Sequence, residues 1–174
     1  MLFVGDISVR AQNVREEVDI HAPYIATPYP VIDAMLALAR VKKKDLIIDL
    51  GCGDGRIVIE AAKRYGARGI GVDINADRIA EAKANARREH VEQLVRFEEQ
   101  NVYDADVKEA TVVTLYLLQN INLKLRPILK SQLKPGARIV SHSFDMGTWK
   151  PTKMRMLGSD PIFLWKIRRR FWPF

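Results

Sequence analysis

Short apolar runs alternate with amphipathic stretches through most of this chain. The runs predict five strands, at residues 45–50, 68–74, 94–99, 110–118 and 137–144. The stretches between them predict helices at 55–65, 76–89 and 119–132. Near-continuous apolar runs of this length are typical of strands covered on both faces. Strand–helix alternation indicates βαβ units, so we expect a single α/β domain with a doubly wound, mainly parallel sheet.

Both ends of the chain depart from this alternation. The Pro-rich segment 23–30 is extended, because each proline disfavours helix at the preceding residue, and a helix is expected from about Pro30. Near the other end, "KMRML" and "PIFLWKI" predict two short antiparallel strands at one sheet edge. We therefore expect an N-terminal arm at 1–22, one domain at 23–167 and a basic, aromatic tail at 168–174.

Composition narrows the class of protein. The chain has 174 residues, 48% apolar and 28% charged, which is ordinary for a globular domain. A net charge of +7 favours acidic partners, whether nucleic acid, a membrane surface or an acidic protein patch. The single cysteine, Cys52, excludes an intramolecular disulfide framework and a multi-cysteine zinc cluster. No apolar run reaches the ~20 residues of a membrane span and no complete secretory signal begins the chain, so we expect a cytoplasmic protein.

The stretch "DLGCGDG" lies between the first predicted strand and the first following helix. Its glycines Gly51, Gly53 and Gly55 would let a ligand approach the backbone at the carboxyl end of the strand. The dinucleotide pattern G-x-G-x-x-G fails, because Arg56 stands where the third glycine belongs, and the phosphate-loop pattern is absent. Asp49 would repel a phosphate but suits a ligand that carries an amine or a sulfonium.

This stretch resembles the first motif of the class I, seven-strand methyltransferases, which have a Rossmann-like fold and use S-adenosylmethionine. The resemblance implies that Asp49 and the backbone of residues 51–55 surround the methionine part of the cofactor, whose product is S-adenosylhomocysteine. Asp73 corresponds to the acid that binds the ribose hydroxyls, and Ile74 beside it is also expected at the cofactor. Asp73 lies 22 residues after Gly51, near the ~20 expected for a ribose acid.

The resemblance also implies an adenine contact after the third strand, in "EEQNVYDAD". Many relatives have an aspartate where this chain has Asn101. The asparagine carbonyl can still accept a hydrogen bond from the adenine amino group, beside the backbone of Val102. The alternative is that Asn101 is only a turn residue.

Further motifs narrow the resemblance. The segments are "PYIATPYPVIDAML", "GVDINADRIAEAKANA", "ATVVTLYLLQNINLKLRPIL" and "LKPGARIVSHSFDMGTW". Together with the glycine stretch they are similar to a small family that includes archaeal broad-specificity protein-lysine methyltransferases. Mitochondrial enzymes that modify an ATP synthase subunit belong to it, and nucleosomal non-SET lysine methyltransferases are more distant. The similarity covers roughly residues 23–151 and implies a protein substrate that presents lysine.

Carried over by position, the family implies a lid and an acceptor channel. Tyr24 and Thr27 would be the hydrogen-bonding members of a lid over the cofactor, and Pro28 would fix its extended course. Tyr116 would form the wall of the channel through which the amine reaches the methyl group. His142 and Phe144 would line its mouth, with His142 as a candidate general base. Packing roles for the lid tyrosines and Tyr116, and a structural role for His142, remain open at this point.

The sequence lacks the motifs of several other methyltransferase classes. The motif [DNS]-P-P-[YFW] of adenine amino methyltransferases is replaced by "TLYLLQN". There is no catalytic cysteine pair, and Cys52 lies in the cofactor loop, which excludes the covalent route used for cytosine C5. No metal ligands are expected, because no His/Asp/Glu cluster has their spacing. A small-molecule methyltransferase, an RNA methyltransferase and a non-catalytic cofactor-binding protein remain alternatives.

The C-terminal "KIRRRFWPF" combines basic and aromatic residues. Such a segment is typical of an interfacial membrane anchor or a nucleic-acid contact, while an exposed tail packed on the domain is the alternative. We expect contact with a membrane surface or an acidic partner, hence a peripheral membrane location, and no stable nucleic-acid complex.

Overall fold

The computed structural model describes residues 25–168. The predicted arm, Tyr24 and the tail after Arg168 lie outside the described residues. The helices are α1 (Tyr29–Leu38), α2 (Arg56–Tyr65), α3 (Ala76–Arg88) and α4 (Gln119–Gln132). The strands are β1 (Leu46–Leu50), β2 (Arg68–Asp73), β3 (Val95–Glu99), β4 (Val112–Leu115), β5 (Arg138–His142), β6 (Lys153–Leu157) and β7 (Asp160–Lys166).

One seven-stranded sheet has the order β3-β2-β1-β4-β5-β7-β6. Strands β1 to β5 pair in parallel, and β7 lies antiparallel between β5 and β6. The predicted doubly wound α/β fold is therefore confirmed, as is the antiparallel pair near the end of the chain. Insertion of β7 next to β5 leaves β6 at the sheet edge. The carboxyl ends of the five parallel strands meet at one end of the sheet, together with the start of β7.

The two faces of the sheet are covered differently. Helices α1, α2 and α3 bury their apolar sides on one face, with Ile32, Ile57 and Ile79 at most 4% exposed. Helix α4 and the connection from β3 to β4 cover the other face, where Leu125, Leu129 and Trp165 are buried. Fully burying such side chains contributes about 1.5–3 kcal/mol each, so both layers hold the strand ends in place.

Two predicted strands extend two or three residues past the carboxyl ends of the observed ones. Residues 116–118 do not continue β4, because Leu118 already forms the N-cap of α4 and the intervening residues connect strand to helix. Strand β5 stops at His142 because Ser143 has a φ of 62°, which extended backbone does not allow. Both differences place aromatic side chains on loops at the carboxyl end of the sheet.

Among residues 25–168, no helix combines the length and apolar character needed to cross a bilayer.

Candidate active site at the carboxyl end of the sheet

The glycine stretch forms a tight left-handed turn between β1 and α2. Gly51, Gly53 and Gly55 have φ values of 79°, 52° and 79°, a region that other residues rarely adopt. A Cβ on Gly51 would lie 2.6 Å from Leu117 Cδ2, and one on Gly55 would lie 2.5 Å from Phe97 Cε1. Glycine is therefore required by conformation at all three positions and by space at two of them.

Asp73, at the end of β2, holds this turn. Its Oδ2 accepts a hydrogen bond from Gly53 N at 2.9 Å, and its Oδ1 accepts one from Asn75 N at 3.0 Å. The Asn75 side chain in turn accepts from Asp77 N and Arg78 N and caps α3. Asp73 thus braces the backbone that the sequence predicts to surround the cofactor, while its partly exposed carboxylate keeps free acceptor capacity.

Asp49 is a buried carboxyl group beneath the turn. It is 2% exposed, and its Oδ1 accepts a hydrogen bond from Thr114 Oγ1 at 2.6 Å. Burial raises its pKa to about 7; the Thr114 hydrogen bond lowers the pKa, and the nearby charges of Asp73 and Asp54 raise it further. A cation placed beside Asp49 would compensate this concentration of negative charge.

These features fit S-adenosylmethionine. The group carries a sulfonium and an ammonium, which suit the carboxylate of Asp49, and ribose hydroxyls, which can donate to the carboxylate of Asp73; the glycine turn leaves backbone accessible without side chains. Cys52 in the same turn is not a candidate nucleophile, because burial and the neighbouring carboxylates raise the pKa of its thiol far above the usual range. Asp49, Asp73 and the backbone of residues 51–55 are the residues we expect to hold the cofactor.

Arg56 connects the glycine turn to the segment before α1. Its guanidinium binds the Asp54 carboxylate through Nε at 2.9 Å and through Nη2 at 2.6 Å. Its Nη1 donates to the Thr27 carbonyl at 3.2 Å, and its Cζ lies 5.5 Å from the centre of the Tyr29 ring. Thr27 is buried, whereas Pro28 is exposed at the N-cap of α1. The predicted lid residues Thr27 and Pro28 are thus placed next to the turn.

Three more predicted cofactor residues lie at the ends of β2 and β3. Ile74 is 46% exposed after Asp73, which is unusual for a side chain of its size. Asn101 Oδ1 accepts a hydrogen bond from Tyr103 N at 3.0 Å, so the amide oxygen already stabilises a turn. Val102 is buried in the core. The structure places all three at the correct end of the sheet, and their contact with adenine or ribose stays a prediction.

Tyr116, His142 and Phe144 form an aromatic cluster beyond β4 and β5, which we call the mouth. The ring centroids of Tyr116 and His142 lie 4.0 Å apart, with an angle of 33° between the ring planes. Those of Tyr116 and Phe144 lie 6.5 Å apart, with an interplanar angle of 27°. Tyr116 is half-buried, whereas His142 is 2% exposed. The structure therefore brings together the three residues that the sequence predicts at the acceptor channel.

His142 has a neighbour that the sequence gives no reason to expect. Its Nε2 lies 3.4 Å from Oδ1 of Asp160, the first residue of β7. Burial lowers the pKa of His142, and the Asp160 carboxylate opposes that effect. Neither ring nitrogen has a partner with hydrogen-bond geometry among the described residues. A neutral imidazole in this position can act as a proton acceptor, although its burial equally fits a structural role.

The loop that carries Phe144 is fixed by α4. Asn122, fully buried, donates from Nδ2 to Phe144 O at 3.2 Å and to Ser141 Oγ at 3.3 Å. Gln119 Nε2 donates to Asp145 Oδ1 at 2.7 Å, and Gly147 N donates to the same oxygen at 2.8 Å. The mouth thus has a supporting layer of hydrogen bonds that reaches back into the helix.

Several site residues were missed by the sequence reasoning, namely Thr114, Asp160, Asn122 and the contact of Arg56 with the lid. Thr114 faces Asp49 because β1 and β4 are neighbours, and Asp160 reaches His142 because β7 inserts beside β5. Neither pairing has a local signal. Asn122 stands on the apolar side of an amphipathic helix, where a buried polar residue is the available signal. Within residues 25–168 no group of three or more metal-ligating side chains is present.

Comparison with known proteins decides the family. A model of the ANTKMT methyltransferase domain matches residues 49–153. A protein-lysine N-methyltransferase from Saccharolobus islandicus (strain REY15A) is 45% identical over 135 residues, which are 77% of this chain and 84% of that protein. The chain belongs to the ANTKMT methyltransferase family.

Other relatives extend this picture. The adenine nucleotide translocase lysine N-methyltransferase of Mus musculus is 27% identical over 149 residues, or 85% of this ANTKMT-family chain and 64% of the mouse protein. A solved structure described as an RNA methyltransferase from Salinibacter ruber with S-adenosylhomocysteine is 50% identical. It covers 84% of this chain and 96% of that one, with a TM-score of 0.83. This ANTKMT-family protein is an S-adenosylmethionine-dependent methyltransferase.

Proposed function

We propose that this methyltransferase modifies the side-chain amine of lysine in a protein. The observation that carries the proposal is the charge around the mouth. Five carboxyl groups lie at the same end of the sheet as Tyr116, and they belong to Asp49, Asp54, Asp73, Asp145 and Asp160. Hydrogen bonds from Gly147 N and the Gln119 side chain hold the pKa of Asp145 below its usual range, so this group is charged. An acidic, aromatic opening attracts a cationic side chain.

The chain's own residues perform positioning and desolvation. S-Adenosylmethionine supplies a methyl group on a sulfonium, which is a good leaving group. A free lysine has a pKa of ~10.4 and must lose a proton before it attacks. The Tyr116 and Phe144 rings exclude water around the amine, which lowers its pKa and favours the neutral form. His142, neutral because its pKa is lowered, is the candidate acceptor for the released proton.

RNA is the main competing acceptor, because the Salinibacter ruber relative is described as an RNA methyltransferase. Nucleic-acid substrates are held by basic groups around the reactive site. Here Arg56, at the glycine turn, is paired with Asp54, and the carboxyl groups of Asp145 and Asp160 lie beside Phe144 and His142 of the mouth. The relative from Saccharolobus islandicus, described as acting on protein lysine, supports the protein acceptor.

One experiment separates the acceptors. The enzyme is incubated with radiolabelled S-adenosylmethionine and a cell extract, which is then separated into protein, RNA and small molecules. Label should enter protein, and mass spectrometry should find it as methylated lysine. The Asp73→Ala variant provides the background. Label that enters RNA or small molecules, but not protein, would overturn the proposal.

We further propose that the tail 168–174 contacts a membrane surface or an acidic partner, with the enzyme in the cytoplasm. The support is its sequence, in which Arg168, Arg169 and Arg170 precede Phe171, Trp172 and Phe174. Co-sedimentation with liposomes, with and without residues 168–174, tests this. An equal bound fraction for both forms contradicts the membrane contact.

A further inference from the structure

The end of the sheet opposite the mouth is strongly basic. Six exposed cationic side chains lie there, before β1, at the start of β2 and at the end of β7. We call this set the basic edge; its members are Arg40, Lys42, Lys43, Lys44, Arg68 and Lys166. None of the six forms an ion pair with another residue in the range 25–168.

Hydrogen bonds and packing place the segments of the basic edge next to one another. Arg138 Nη1 donates to the carbonyls of Ala39 at 2.8 Å and Arg40 at 3.2 Å, and Arg138 is opposite Lys166 in the pairing of β5 with β7. Arg68 N donates to the carbonyl of Asp45 at 3.1 Å. A Cβ on Gly66 would lie 3.5 Å from Lys43 Cγ. Lys43 therefore lies beside Gly66, which precedes Arg68 by two residues.

One acid within this region, Asp45, is already neutralised. Asp45 is 3% exposed, and its carboxylate binds the Arg138 guanidinium, Thr111 Oγ1 and Lys42 N. Burial alone would raise its pKa, but these hydrogen bonds and the Arg138 charge outweigh burial and lower it. Asp45 is thus a charged, fully engaged support for the loop, and it forms no ion pair with any of the six cations.

We propose that the basic edge binds the surface of an anionic lipid membrane. The basic edge lies one strand length, roughly 16 Å, from the strand ends at the mouth. A nucleic-acid substrate would need basic groups near the mouth, so the position of the basic edge favours a membrane as its partner. A membrane held there leaves the mouth open to a protein acceptor in solution. The chain also continues from this end, since β7 ends at Lys166 and the basic and aromatic residues of the tail follow.

The test measures binding of the full chain to vesicles. One set is pure phosphatidylcholine, and the other contains about one third phosphatidylglycerol. Each basic side chain near an anionic surface strengthens binding about fivefold. We expect binding to the anionic vesicles only, and a loss of at least about tenfold when Lys42→Gln, Lys43→Gln and Lys44→Gln are combined.

A matched control removes three exposed charges elsewhere, with Lys83→Gln, Arg87→Gln and Lys124→Gln. It should keep most of the binding, because those residues lie outside the basic edge. An equal loss in the control would show that net charge alone is responsible and would overturn the proposal. The proposal would also be overturned if the Lys42–Lys44 variant bound the vesicles normally while deletion of residues 169–174 abolished binding.

Two further measurements complete the test. A single-stranded RNA homopolymer is titrated in place of vesicles; RNA binding that depends on Lys42–Lys44, without vesicle binding, assigns the basic edge to nucleic acid instead. Methylation of a soluble protein acceptor without vesicles should be the same for wild type and the Lys42–Lys44 variant. This keeps a failure of the membrane proposal separate from a failure of the proposed acceptor.

Discussion

Asp49 illustrates how a single residue balances binding against stability. Its folded-state pKa of about 7 lies above the usual 3.8 of an aspartate, so at intermediate pH the folded protein without cofactor holds a proton that the unfolded chain releases. Its contribution to stability is therefore complete below about pH 4 and is lost as pH rises through 7. The buried carboxylate of Asp49 destabilises the protein without cofactor, and the same charge stabilises a bound cationic ligand.

The Asp49→Asn variant should therefore be more stable but bind less cofactor. Without cofactor at pH 8, we expect its free energy of unfolding to exceed that of wild type by on the order of 1–3 kcal/mol, since no buried charge forms. Urea unfolding at pH 8 and pH 5 measures this, and the difference should be clearly smaller at pH 5 than at pH 8. Calorimetry should show affinity for S-adenosylmethionine reduced at least about tenfold. A variant that is destabilised equally at both pH values contradicts this account.

Asp73 and Tyr116 should separate cofactor binding from methyl transfer. Asp73→Ala should abolish cofactor affinity, because it removes both the ribose acceptor and the brace on Gly53 N. Tyr116→Ala should bind the cofactor normally and methylate more slowly, by about tenfold or more, because it removes a ring that excludes water from the amine. Calorimetry and initial rates measure the two effects, and Asp73→Asn, whose amide oxygen can still accept from Gly53 N, is the intermediate control. Unimpaired binding by Asp73→Ala would exclude the cofactor assignment.

Among the elements, the segment before α1 depends on α2 for its position. Arg56, the first residue of α2, contacts Thr27 O, the Tyr29 ring and Asp54. The Arg56→Gln variant should loosen residues 25–28, so hydrogen exchange there should increase and cofactor dissociation should accelerate several-fold. Stopped-flow displacement measures the rate. Arg87→Gln, an exposed change at the end of α3, should alter neither quantity; unchanged exchange in Arg56→Gln would show that this segment is held by other contacts.

The insertion of β7 beside β5 gives a second prediction at this scale. Asp160 opposes the effect of burial on His142, so Asp160→Asn should lower the pKa of His142 further below 6.5. Titration of the imidazole signals by NMR measures this, with the exposed His90 as internal reference. Below that pKa the mouth gains a positive charge, and methylation should fall as pH decreases through it. An unchanged His142 titration would show that Asp160 exerts no field at the ring.

The sequence predicted the elements better than their partners. Buried runs and glycine spacing indicated five strands, the order of the motifs and the acids at the ends of β1 and β2, because these signals are local. The contact of Thr114 with Asp49 and that of Asp160 with His142 depend on which strands become neighbours, and that is decided by packing of the whole sheet. The predicted end of the fourth strand, at residue 118, was wrong for the same reason. Strand β4 ends at Leu115, and residues 116–118 belong to the mouth and to the start of α4 rather than to the sheet.

The whole molecule separates its charges along the sheet. Asp145 and Asp160 lie beside the mouth, and six cations without an ion pair among residues 25–168 lie at the basic edge. A cationic protein acceptor should therefore be drawn to the mouth by long-range attraction, which salt screens. We expect KM for a lysine-containing protein acceptor to rise several-fold between about 0.05 and 0.5 M salt, with a smaller change in kcat. Steady-state rates measure this; a KM that falls with salt would indicate an anionic acceptor.

The contact of Leu117 with Gly51 has a consequence for how this enzyme can change. Leu117 follows Tyr116 in the loop that shapes the acceptor side, yet its side chain lies where a Cβ on Gly51 would be. Donor and acceptor regions therefore share one wall. A loop graft that gives this enzyme a new target must retain a leucine-sized residue at position 117. Otherwise the new specificity will be accompanied by weaker binding of the methyl donor.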